Sequence, residues 1–187
     1  MRLDRIFDES DALAEDLMSE IDLPLIDASP RIIISEVACS LSLEHWHAAR
    51  YLLRLGNPPS ALVVHRVQFE SLTRCTWLTY EASDNQLKKV TEDLTIETEQ
   101  TAKNMPQVAD MLQQLSKSGP RPAYEALTRF KDYSWKALNS HAHAGIHPIR
   151  RHHDGYPTDI IENALRNANG LAVSQIIWRE YRGPRGS

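Results

Sequence analysis

The sequence predicts a single all-α domain, a helical bundle of about four long helices plus several short ones. Three observations predict it. Apolar residues recur at helical spacing along most of the chain. Strand signals are poor, with no Asn-Gly or Asp-Gly turn set between alternating apolar runs. Proline and glycine punctuate most of the boundaries between the periodic stretches. The 187 residues are enough for one domain with a sizeable core. A hydrophobic content of 42% and a charged content of 25% are ordinary for a globular chain.

The elements follow in order. "SDALAEDLMSEI" is a short, acidic amphipathic helix. Ser29 and Pro30 cap and open a long helix, "RIIISEVACSLSLEHWHAARYLLRLG", which Gly56 ends. Pro58, Pro59 and Ser60 start the next, "ALVVHRVQFESLTRCTWLTYEAS". That stretch is apolar almost all round, so it is expected at the centre, buried. Residues 84–118 read as shorter pieces, with Pro106 separating "TIETEQTAKNM" from "PQVADMLQQLSK". "SGPRP" reads as a linker into the helix "AYEALTRFKDYSWKALNSHAHAG", which Gly145 and Pro148 stop. "RRHHDGYP" reads as a loop, "TDIIENALRNANGLAVSQIIWREYR" as the last helix, and "GPRGS" as a fraying end. Three units result: an acidic N-terminal helix over 1–28, the bundle over 29–182, and a flexible tail over 183–187.

The net charge of −4 is unevenly spread. Residues 1–30 carry nine acids and two bases, whereas residues 121–187 carry ten Lys or Arg against six acids. A basic last third can face phosphate. Cys39 and Cys75 each sit in an apolar run with no partner at metal-ligand spacing, as buried thiols in a reducing compartment do. No apolar stretch approaches the ~18 residues of a membrane span, and the acidic start has no apolar signal core. The expectation is a cytoplasmic protein with no membrane partner.

Two polar ladders stand out. Arg66, Glu70 and Arg74 repeat every fourth residue on the apolar central helix and so share one face. Asn139 and His143 repeat in the same way near the end of a later helix, with Asp132 and Lys136 on the same stripe and His147 just beyond. Charged side chains are rarely buried unpaired, so the two stripes are expected to face each other. The arrangement can serve either as a register-fixing ion network or as a pocket. Five of the eight histidines lie between Leu138 and His153. His143 and His147 would suit zinc on an unbroken helix, with His141, His152, His153 and Asp154 near, but Gly145 and Pro148 interrupt the array. No metal and no cofactor is expected. Nucleophilic catalysis of the Ser-His-Asp type has no Gly-x-Ser-x-Gly elbow to support it.

The stretches "HRVQFESLTRCTWLTYEAS", "WKALNSHAHAGIHPIRRH" and "DGYPTDIIENALRNANGL" resemble an uncharacterised family of bacterial all-helical proteins, over roughly residues 30–175. More distantly, the Arg-x3-Glu helix followed by a helix ending in Leu-Asn-x3-His-x-Gly is similar to HEPN-like helical domains. That resemblance implies a metal-independent endoribonuclease or RNA-binding protein of the toxin–antitoxin or phage-defence kind. The nuclease motif of those domains sets an Arg ahead of a His on one helix; here Lys136 stands ahead of His141 at that spacing. On this reading His143 is the acid–base catalyst for 2′-hydroxyl attack. Arg66 and Arg74 steady the phosphorane charge with Glu70 between them, and Asn139 orients the imidazole. His147, Lys136, Arg150 and Arg151 bind the substrate backbone. The partners expected are RNA, a cognate antitoxin or regulatory protein, and a second copy in a homodimer. The alternative is a non-catalytic helical interaction or regulatory module whose ion network is structural.

Overall fold

Nine helices, and no strand, make up the described residues of the computed structural model, which are 2–21, 27–93, 95–102 and 105–180. They are α1 (Arg2–Ile21), α2 (Pro30–Arg54), α3 (Pro58–Tyr80), α4 (Asp84–Thr91), α5 (Ile96–Ala102), α6 (Val108–Ser118), α7 (Arg121–Ala142), α8 (Ile146–Asp154) and α9 (Thr158–Glu180). The all-α bundle is therefore observed. The tail over 183–187 lies outside the described residues.

The α2–α3 hairpin is the centre. Gly56 closes α2 with φ +74°. Its N–H donates to the Leu53 carbonyl at 3.1 Å and the Asn57 N–H to the Leu52 carbonyl at 2.8 Å. This pair of bonds defines a left-handed helix cap, which glycine adopts without strain. Pro58 then opens α3 at once, in the first turn, where a missing N–H costs nothing. α2 meets α3 through small or polar residues: Ser35, Cys39, Ser42 and Ala49 are all buried. Their size lets the two helices approach closely.

α3 is buried on nearly every side, as its composition requires. α7 covers it through Phe130 and Trp135, whose ring centroids lie 4.6 and 5.9 Å from Phe69. α6 covers its far end, where the Trp77 indole N–H donates to Gln114 at 2.7 Å. α9 packs on the α2–α3 pair, and buried polar groups set its register. Gln68 donates to the Ala168 carbonyl at 2.9 Å, and Gln175 donates to the Cys39 carbonyl at 3.0 Å. Buried amide donors bonded in this way discriminate against slipped packings, because a slip would strand them.

The acidic N-terminal helix itself packs into the bundle. Ile6, Phe7, Ala14 and Leu17 are buried in the common core, and Ser10 donates to Asn169 of α9 at 2.9 Å. Its acids stay outward, where Asp11 meets Arg50 and Arg54 of α2. One expectation is corrected: the stretch "RRHHDGYP" is not a loop as far as Asp154, since α8 runs through it. Pro148 sits in the first turn of α8, where proline is tolerated, and Gly155 ends the helix with φ +88°. No helix among the described residues is long and apolar enough to cross a membrane.

Candidate functional site

The histidine-rich stretch folds as a tight corner between α7 and α8. His143 is the last half-helical residue of α7, and Ala144 follows with φ +50°. The Gly145 N–H returns to the Ser140 carbonyl at 2.7 Å. A Cβ on Gly145 would lie 2.5 Å from the Ser140 hydroxyl, so glycine is required there by close approach. That hydroxyl accepts the His147 N–H at 3.2 Å, which fixes the first turn of α8. The corner brings the His147 ring to 6.3 Å from the His141 ring, and Tyr156 to the same distance on another side.

His141, rather than His143, is the buried histidine of the corner. Its Nδ1–H donates to the Ala137 carbonyl at 2.9 Å, leaving Nε2 to accept the Tyr156 hydroxyl at 3.3 Å. Burial holds the His141 imidazole below its usual pKa, with the Ala137 carbonyl opposing that and His147 adding to it. Burial likewise pushes the Tyr156 phenol up. His143 is exposed, Asn139 is half-buried, and Lys136, His147, Arg150 and His152 are exposed. Asp154 holds Arg150 at 3.4 Å and His153 at 2.6 Å, and Arg151 is half-buried. No group of three or more His, Cys, Asp or Glu placed to hold a metal ion occurs among the described residues.

The charged ladder forms elsewhere. Arg66 pairs with Glu70 at 2.9 Å, and its guanidinium lies 5.0 Å from the Trp135 ring centroid. Burial lowers the Arg74 pKa and Glu70 offsets part of that. The two ladders do not meet. α3 and α7 run antiparallel, with Leu62 and Leu138 sharing one cluster and Phe69 stacked on Phe130. At 1.5 Å per residue, His143 is displaced along the helices by roughly 14 Å from Arg66 and roughly 25 Å from Arg74. His143 is thus not brought together with Arg66, Glu70 and Arg74. Glu70→Ala is expected to destabilise by about 1–2 kcal/mol and Glu70→Gln by less, because partial exposure tempers the loss of a buried charge partner. Urea titrations of the two variants check this; equal midpoints would place the pair in bulk solvent.

Among the described residues, α2 carries a run of exposed large apolar side chains. Ile33, Val37, Leu41, Tyr51 and Leu55 are 48%, 57%, 44%, 63% and 73% exposed. Their spacing puts them on one face, with Ala48 between and Glu44 as its one charge. Beside this face, a groove of about 360 Å³ is lined by residues that include Met18, Ser40 and Leu43. Helix α2 therefore carries large apolar residues on both sides: Leu43, Trp46 and Leu53 are buried with Ser35, Ser42 and Arg50, while Ile33, Val37, Leu41, Tyr51 and Leu55 face out.

The sequence model of a family of unknown function, DUF6988, matches residues 39–178. The chain belongs to that family. No curated protein and no solved structure matches it. The DUF6988 match takes in the C-terminal part of α2, the whole α7–α8 corner and the charged ladder. Sequence reasoning missed the outer face of α2. The signal was available in the alternating four- and three-residue steps from Val37 through Leu41, Glu44, Ala48 and Tyr51 to Leu55.

Proposed function

We propose that this DUF6988 chain is a helical interaction module that docks another protein surface on the outer face of α2, with the Arg66–Glu70 pair serving the fold. The observation that carries the reading is the run of five exposed large apolar side chains along one helix. Contiguous exposed apolar surface of this kind marks interaction sites, whereas scattered single residues do not. The charged groups that could have served a catalytic centre lie apart, which supports a structural role for the ladder.

The test is made in cell extract. The tagged chain is expected to elute above the 21.3 kDa of a single copy, and the double variant Val37→Glu/Leu41→Glu to elute as a single copy with unchanged helical content. Exposed substitutions are expected to change stability by no more than about 0.5 kcal/mol. Elution of the wild-type chain at single-copy mass would sink the reading.

The α7–α8 corner favours a second reading, contact with RNA. Arg150, Arg151, His152 and His153 follow one another on a helix with no buried residue, the helix whose first turn brings His147 toward His141. Phosphate contacts of this kind weaken steeply with salt. RNA binding that falls with rising salt, and falls further in Arg150→Ala/Arg151→Ala, supports it; no binding at low salt removes it. Cleavage, if present, is assigned by comparing His141→Ala with His143→Ala on RNA gels.

A further inference from the structure

From the same face we infer that the surface α2 docks on is α2 of a second copy of this chain, running antiparallel across a twofold axis. This rests on the interaction reading and names its partner. The outward positions Val37, Leu41, Glu44, Ala48, Tyr51 and Leu55 are spaced by four, three, four, three and four residues. That order reads the same from either end. An antiparallel pair centred on Trp46 therefore sets Val37 against Leu55, Leu41 against Tyr51, and Glu44 against Ala48. Every large apolar residue of this run meets another, and the single charge meets a methyl group. Isologous contacts require this self-complementarity.

The charges at the rim agree. Glu36 and Arg54 lie on the same edge of α2, near opposite ends of the helix. Antiparallel pairing sets Glu36 of each copy near Arg54 of the other, twice by symmetry. Arg54 keeps 42% of its side chain exposed while it contacts Asp11 and Asp8. A parallel pair would instead set Glu44 on Glu44 near the middle of the seam and leave Glu36 and Arg54 of the two copies on opposite edges, unable to pair. Like charges directly opposed select against that arrangement. An unrelated partner would have no reason to match the palindrome.

The experiment uses the purified full chain. Sedimentation is expected to give twice the 21.3 kDa of one copy, and Glu44→Leu to tighten the association at least tenfold. Leu41→Cys/Tyr51→Cys is expected to form a crosslinked dimer on mild oxidation, because residues 41 and 51 of one copy cannot reach each other along a helix. Leu41→Cys alone should not crosslink. Crosslinking by Leu41→Cys alone would mean parallel pairing and overturn the inference. So would a purified chain that stays single at every concentration. If that single chain still enters a larger complex in extract, the interaction reading stands with a different partner and only the self-pairing falls.

Discussion

Phe69→Ala is expected to cost about 4 kcal/mol, the middle of the range for deleting a fully buried phenyl ring. Phe69 is fully buried and sits where α3 receives both Phe130 and Trp135 of α7. The neighbours are rings fixed by their own contacts, Phe130 also against the edge of His65 at 5.2 Å, so the cavity has little means of collapsing. A chain of this length is expected to melt roughly 10 °C lower as a result. Tyr133→Ala is the control: it lies on the same helix as Phe130 but is 86% exposed, and its melting point should hardly move. A Phe69→Ala chain that melts within two or three degrees of wild type would mean that α7 does not pack on α3 in this way.

The second large effect is loss of stability in acid. His65 is 3% exposed, and burial pushes its imidazole down to about 4, against the partial opposition of the Gln68 hydrogen bond. Its Nδ1–H donates to Gln68 at 2.9 Å, and Nε2 has no partner. The neutral form is thus the one the fold accepts. In the unfolded chain the ring titrates near the usual 6.5. Above that pH both states are neutral and His65 has no effect on the pH dependence. As pH falls from 6.5 to about 4 the unfolded chain takes up a proton that the folded chain refuses, so stability declines. Below about 4 both are protonated and the loss levels off. The total is about 3 kcal/mol at 1.36 kcal/mol per unit. His47 and His141 are held low by burial as well and act in the same direction. His65→Gln keeps a donor for Gln68 and removes the titration, so the slope between pH 7 and pH 4 should flatten in urea titrations of that variant. An unchanged slope would place the acid sensitivity elsewhere.

Much of the architecture was legible because helix punctuation is local. Gly56 and Pro58 mark the α2–α3 turn in the sequence and do so in the structure. The all-round apolar character of "ALVVHRVQFESLTRCTWLTY" required burial, and α3 is buried. The α8 error came from reading Pro148 only as a terminator, when a proline in a first turn can equally open a helix. The candidate site was harder. Periodicity says which side chains share a face but not which level of a neighbouring helix they meet. Arg66 and His143 were assigned to one site by spacing alone, and the Phe69–Phe130 register separates them. Spacing places His143 on the Asn139 stripe and His141 on another face, yet the end of α7 buries His141 and leaves His143 on the cap. The outward face of α2 is masked in the sequence because large apolar residues fall on both sides of the helix: Leu43, Trp46 and Leu53 are buried, while Val37, Leu41, Tyr51 and Leu55 are exposed.

The claim that α2 presents a docking face is tested most directly in living cells. A photo-crosslinking amino acid is placed singly at positions 37, 41, 51 and 55, and as controls at Gln113 and Glu125, which are exposed on other helices. The account predicts discrete adducts from the four α2 positions and none above background from the controls, with adducts of doubled mass where the partner is a second copy. Background-level crosslinking from all four α2 positions would contradict it.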